Sequence, residues 1–263
     1  TGTYNTVVGK SAGASVTTGI RNTLIGGVAG LQLTDADYNI AIGLNALSTD
    51  TLGSRSTAVG TDALQSQNFT SATDTYNTAV GFNAGNAITT GVRNTLIGGL
   101  SGDATTTGSN NVSVGYTALT SNTTGGEITA VGNGALYSNT TGIYSTAVGS
   151  AALEANTTGE NNTALGRFSL RANTTGAQNT AIGAYAGDAL TTGAENTVVG
   201  RSALSAEVAG KYSVAIGNAA LHLQSNASGT DVYNTAVGYL AGGAVTTGVQ
   251  TSFIGGQAGE ENT

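Results

Sequence analysis

The chain has 263 residues, among them 41 Gly and no Pro, Cys, Met or Trp, with 5% aromatic and 9% charged residues and a formal net charge of −7. A large core of long side chains is excluded, so apolar burial must come from Ala, Val and Ile packed closely in a narrow interior that repeats many times. The missing cysteines exclude a disulfide framework and thiolate metal sites, no apolar run is long enough to span a membrane, and the negative charge opposes nucleic acid or an anionic membrane as a partner.

Self-similarity organises the sequence from end to end. Coils of the form N-T-A-V-G-x-x-A-L/G-x-x-x-T-T-G-x-x begin at Asn5, Asn22, Asn39, Ser56, Asn77, Asn94, Asn111, Ile128, Ser145, Asn162, Asn179, Asn196, Ser213, Asn234 and Thr251. Twelve of the fourteen spacings are 17 residues and two are 21. The long coils open at Ser56 and Ser213, 157 residues apart, and carry the same excess in Gln65 to Tyr76 and His222 to Tyr233. Both ends break off inside a repeat, so residues 1–263 are read as a single β-solenoid domain, a segment of a longer fibre chain. At the ~4.8 Å spacing of adjacent strands, fifteen stacked coils predict a rod of about 70 Å.

Within a coil the pattern predicts two short strands and two turns. The fourth position is Val, Ile or Leu in all fifteen coils, and the second is Thr, Val or Ile in all but one. Residues two apart share a face, so these two columns are expected to point into the coil. The third position alternates with them and is expected to face outward. It is nonetheless apolar almost throughout: Val7, Leu24, Ala41, Ala58, Ala79, Leu96, Ala130, Ala147, Ala164, Ala181, Val198, Ala215, Ala236 and Phe253. An outward apolar stripe predicts a subunit interface along these residues. On this reading Val148→Asp unfolds several coils, whereas Ala147→Arg separates subunits. The fifth position is Gly in every coil and predicts a shared corner, with Thr-Thr-Gly as the second turn. The ten Asn at the first position are expected to form a ladder at the corner.

Two correlations point to one shared interior. Where the ninth position is Gly the twelfth is usually apolar, as in Gly30 with Leu33, and in the four coils with Leu119, Leu136, Leu153 and Leu170 at the ninth the twelfth is Asn. This is volume conservation in a packed interior. The sixth position is Gly only at Gly27, Gly99 and Gly256, in the coils whose third position is large; bulk at one site accompanies its absence at a neighbour.

The N-T-A-V-G-x-x-A-L pattern with Asn-Thr-Thr-Gly turns resembles the YadA-like head repeats of trimeric autotransporter adhesins and the similar repeat arrays of phage tail fibres. The resemblance covers essentially the whole chain. It implies an all-β fold, a parallel β-solenoid in the form of a left-handed β-roll, and a homotrimer with its rolls along one axis. It further implies an extracellular, cell-surface or virion location and a role in attachment.

Candidate sites are few. The extra residues of the long coils are expected to bulge outward as loops that could touch a host receptor or glycan, with Gln65, Asn68, Phe69, Asp74 and Tyr76 in one and His222, Gln224, Asn226, Asp231 and Tyr233 in the other. His222 is the only histidine, and with no second His or positioned nucleophile it does not make a catalytic centre. The acids are scattered; the close pair Asp35 and Asp37 offers at most a weak cation site. No paired carboxylates suited to glycosidase chemistry stand out. Asn122, Asn139, Asn156 and Asn173 lie in Asn-Thr-Thr sequons and could carry sugar. The expectation is therefore a non-enzymatic shaft or head of an attachment fibre that needs no cofactor, with a filament or sheath subunit and an ice-binding solenoid as alternatives. The last would need two outward Thr columns, and the adjacent Thr17 and Thr18 point to opposite faces.

Overall fold

The computed structural model describes residues 2–260. Among them there is no helix, and each coil opens with a three-residue strand, from Thr6–Val8 and Thr23–Ile25 to Thr235–Val237 and Ser252–Ile254. The chain falls into two compact units, Thr1–Ile128 with seven of these strands and Thr129–Thr263 with eight. Within each unit the strands pair in parallel and position for position: Thr6 opposes Thr23, and Thr146 opposes Thr163. The long coils keep this alignment across their excess, with Thr57 opposite Thr78 and Val214 opposite Thr235. This is a parallel β-solenoid of about fifteen 17-residue coils.

The faces of the strand are the reverse of the sequence expectation. Third-position side chains point inward: Leu24, Ala41, Ala58, Ala79, Leu96, Ala130, Ala147, Ala164, Ala181, Val198, Ala215 and Ala236 are all 0% exposed. The column opens only at Val7 and Phe253, whose coils have a neighbour on one side. These residues therefore form the core rather than a subunit interface. Second- and fourth-position side chains are half-exposed or exposed in every coil, from Val8 at 58% to Ile254 at 77%. The physical reason is width. Behind the strand, the eighth-position alanines (Ala29, Ala46, Ala152) and the ninth- and twelfth-position side chains already occupy the interior. Where the flanking ninth positions are Leu, only a small residue fits between them at the third position.

Each coil has one such strand rather than two. The return side is built from turns in which the seventh position is left-handed, as at Val28 (φ 53) and Phe168 (φ 60), and so is the ninth, whether Leu153 (φ 52) or Gly30 (φ 56). Alternating left-handed residues cannot form an extended strand. Neighbouring coils are still bonded there, through Val28 N–H to Lys10 O at 2.8 Å and Gly30 N–H to Ala46 O at 2.9 Å. Among the described residues a second short sheet forms only beside the first long coil, where Gly53–Ser54 pairs with Thr73–Asp74. The fifth-position glycine is obligatory on two counts. At Gly149 φ is +138°, and an added Cβ would lie 2.5 Å from Gly166 O in the next coil.

The expected exchange between ninth and twelfth positions is present and extends to the third. A Cβ on Gly13 or Gly30 would meet Leu24 at 2.7 Å, and on Gly85 or Gly102 would meet Leu96 at 2.7 and 2.8 Å. A large third-position residue therefore sits between two ninth-position glycines, one in its own coil and one in the coil before. The sixth-position glycines take no part in this. Gly27 and Gly99 face Leu44 and Tyr116 of the following coil, so their association with Leu24 and Leu96 is not an exchange of core volume.

The first-position asparagines form the ladder, inside the coil. Asn179 donates from Nδ2 to Gly193 O at 2.8 Å within its coil, and its Oδ1 accepts the Asn196 backbone N–H at 3.1 Å from the next. Each amide thus satisfies a turn carbonyl and a strand N–H that the narrow coil would otherwise bury unpaired. A threonine ladder runs beside it, with Thr157 Oγ1 donating to Thr174 O at 3.0 Å and Thr174 Oγ1 to Thr191 O at 3.2 Å.

Candidate functional site

Three features differ from the uniform coil: the outward sheet face, the long coils, and the column at the seventeenth position. The face is made by the second and fourth positions. Its fourth-position column is aliphatic in every coil and is exposed at Val80 (36%), Ile97 (39%), Leu165 (45%) and Ile182 (38%). Its second-position column is mostly Thr, with Ile40 and Val112 exposed. An aliphatic residue at every coil, β-branched in all but Leu165, gives each unit a continuous apolar stripe on a regular pleated surface.

The long coils do leave the common cross-section. Thr70, Ser71 and Ala72 are exposed in one, and Ala227, Ser228 and Gly229 in the other. The chain returns by pairing Asp74 with Ser54 and Asp231 with Lys211. Of the predicted contact residues, Asp74, Tyr76, Asp231 and Tyr233 are exposed, and Gln65, Asn68 and His222 are half-buried. Phe69, Gln224 and Asn226 are buried beneath the loops and cannot be surface contacts.

What buries them is a carboxylate that sequence reasoning did not single out. Asp50, 0% exposed, accepts hydrogen bonds at Oδ1 from Gly53 N–H (3.2 Å) and Phe69 N–H (2.9 Å), and at Oδ2 from Gln67 Nε2 (2.6 Å). The second copy is more complete. Glu207 Oε1 accepts the backbone N–H of Val208, Ala209, Gly210 and Asn226 at 2.8 to 3.2 Å, and Oε2 accepts Gln224 Nε2 at 2.8 Å and Asn226 Nδ2 at 2.9 Å. In both, the glutamine relays onward: Gln67 Oε1 accepts Asn77 Nδ2 at 2.9 Å, and Gln224 Oε1 accepts Asn234 Nδ2 at 2.7 Å. The acid stands at the twelfth position of the coil before the insertion and the glutamine at the twelfth position of the long coil itself. There they collect the backbone donors that the four-residue excess takes out of register. The signal was present: wherever a ninth-position Leu precedes a long coil, the twelfth residue is Asp or Glu instead of Asn.

The other candidates have ordinary partners. His222 Nδ1 lies 3.1 Å from Ala219 O in its own turn. Asp37 Oδ1 accepts Ile20 N–H at 2.8 Å and Asp35 Oδ1 the Thr18 hydroxyl, so both carboxylates serve as inter-coil acceptors. Among the described residues no three His, Cys, Asp or Glu side chains come together as a metal site. The sequon asparagines Asn122, Asn139, Asn156 and Asn173 are at most 1% exposed and form part of the interior, so the folded chain does not present them for glycosylation.

The seventeenth position is left-handed throughout, at Arg21 (φ 58), Tyr38 (φ 58), Arg55 (φ 64) and Tyr76 (φ 52), and its side chains are exposed along the turn. In the second unit the same column stacks Tyr212 on Tyr233, with ring centroids 4.8 Å apart. The chain matches no family model, no curated protein and no solved structure. Its function has to be read from these surfaces.

Proposed function

We propose that the chain is a shaft or head segment of an extracellular attachment fibre, on a virion or a cell surface, and that it assembles as a homotrimer through the outward sheet face. The observation that carries the reading is the fourth-position stripe, aliphatic in all fifteen coils and exposed or half-exposed in each. The partner surface best matched to such a stripe is one with the same axial repeat, and another copy of this chain has that repeat. Copies set side by side bring aliphatic side chains together coil after coil, which gives a long, dry, additive interface. The YadA-like resemblance supports three copies. The exposed loops at 70–72 and 227–229 then decorate the outside of a rigid support, where receptor contact is placed most economically. No catalytic step is assigned.

Sedimentation equilibrium tests the assembly. Wild type is expected at three chain masses, and Val148→Asp combined with Ile182→Asp at one, with its β-rich circular dichroism retained because both side chains face outward. A monomeric wild type, or a trimeric double variant, would remove the interface. One observation favours ice binding as a second reading: the outward face carries a Thr column beside the aliphatic one, a regular array the adjacent Thr17 and Thr18 do not supply. Thermal hysteresis from a monomeric chain is the outcome that favours it.

A further inference from the structure

We propose that the seventeenth-position column of the first unit binds a linear anionic glycan, with Arg21, Arg55 and Arg93 as its anion contacts. This names the ligand class of the attachment reading and rests on that reading only for its biological use.

The placement of charge is selective. The first unit contains four basic residues, Lys10, Arg21, Arg55 and Arg93, and three of them stand in this one column. They recur at every second coil, which at ~4.8 Å per strand spaces them by roughly 9.6 Å. That interval is comparable to the advance of one disaccharide along an extended polysaccharide. Tyrosines fill the coils between. The Arg21 guanidinium carbon lies 5.7 Å from the Tyr4 ring centroid and 5.2 Å from that of Tyr38, and the Arg55 carbon 5.0 Å from Tyr38 and 5.9 Å from Tyr76. The Arg21 guanidinium also donates to the Tyr38 hydroxyl. The ring contacts hold the Arg21 and Arg55 guanidinium groups, and Arg93 is held by donation from Nη1 to Asn110 Oδ1 at 3.3 Å; the N–H groups not used in these contacts can meet a carboxylate or sulfate.

One such contact is already made within the chain. Asp74, returning from the long coil, sits 2.8 Å from Arg55 Nε in an exposed ion pair. Among the described residues neither Arg21 nor Arg93 forms an ion pair. Single-stranded nucleic acid is the poorer fit. It needs an open aromatic face for its bases, whereas Tyr38 packs with two guanidinium groups and Tyr4 and Tyr76 with one each, so the ring faces are partly covered and the column presents N–H and hydroxyl edges. A sugar chain with regularly spaced acidic groups matches edges of that kind.

The test is a fluorescence titration of the whole chain with a labelled heparin oligosaccharide at low salt, with unlabelled dextran as neutral competitor. Wild type is expected to bind saturably and dextran not to compete. Arg21→Gln with Arg93→Gln should weaken binding about tenfold or more, while Arg201→Gln in the second unit should not. Asp74→Asn should tighten binding several-fold by freeing Arg55, a gain that misfolding cannot imitate, and Asp62→Asn, the same charge change away from the column, should leave it unchanged. Absence of wild-type binding, or equal affinity in wild type and Asp74→Asn, would overturn the proposal. The sedimentation experiment reads assembly and this one reads the column, so either can fail alone.

Discussion

Ala147→Arg is expected to unfold the coils around it, the largest single-residue loss in the second unit. Ala147 is 0% exposed, pairs directly with Ala130 and Ala164 in the adjacent strands, and shares its coil with buried Leu153. An arginine there would bury a charge with no acid to meet it, at a cost of about 3–5 kcal/mol or more, and each coil is stabilised chiefly by its neighbours. The milder Ala147→Leu isolates the steric part. Leucine is accommodated at this position only at Leu24 and Leu96, where both flanking ninth positions are glycine; at coil 145 they are Leu136 and Leu153. Overpacking should cost roughly 1–3 kcal/mol. Replacing Leu136 and Leu153 by glycine in the same chain should recover part of it, a coupling that a thermal-melt cycle measures directly. Additive losses would mean that the third and ninth positions do not share volume.

The second large effect is expected at Glu207. Glu207→Leu leaves the amides of Val208, Ala209, Gly210 and Asn226 and the side chains of Gln224 and Asn226 without their common acceptor. Orphaned buried donors cost about 1–3 kcal/mol each, so the long coil should open even where relaxation recovers some of this. The group also predicts a pH dependence. Burial pushes the Glu207 carboxyl up, but hydrogen bonds from the Asn226 and Gln224 side chains, and from the Asn226 and Gly210 amides, outweigh it and hold the carboxyl below its ordinary range. A carboxylate whose folded pKa is lowered contributes stability above its unfolded pKa, and that stability is lost as pH falls through the folded value. Asp103 and Asp188 work in the opposite sense. Burial raises both, and their contribution declines as pH rises. The comparison that isolates Glu207 is therefore wild type against Glu207→Gln. Melting temperature should fall on acidification more steeply in wild type, and parallel curves would show that the carboxylate is not needed in its charged form.

The repeat made much of this fold legible and concealed its orientation. Coil boundaries, the fifth-position corner and the exchange between ninth and twelfth positions all followed from counting residues, because each is fixed by backbone geometry or by a shared volume. The faces did not follow, because period-two alternation separates two faces without saying which is inside. Larger β-branched side chains suggested the interior, yet steric restriction marks an interior more reliably than hydrophobicity. Asn at the first position and Ala at the third and eighth are the small, restricted columns, and they are the buried ones. Apart from Gly134, the left-handed seventh and seventeenth positions carry residues such as Arg, Tyr, Asn, Leu and Phe rather than Gly, so no residue type announced them. The carboxylate–glutamine clamps were hidden for a different reason. Asp50 and Gln67, or Glu207 and Gln224, are ordinary polar residues until the coils are aligned and found to stack at the twelfth position.

The central claim is that the second and fourth positions form the face that joins copies of the chain, while the third lies inside. A native sequence without cysteine allows this to be read from two single variants, Val148→Cys and Ala147→Cys, treated in the folded state with a short bis-maleimide. The account predicts that Val148→Cys yields covalent dimers of the chain, whereas the Ala147→Cys thiol stays unreactive until the protein is denatured. Cross-linking through Ala147→Cys, with Val148→Cys yielding only single chains, would contradict it.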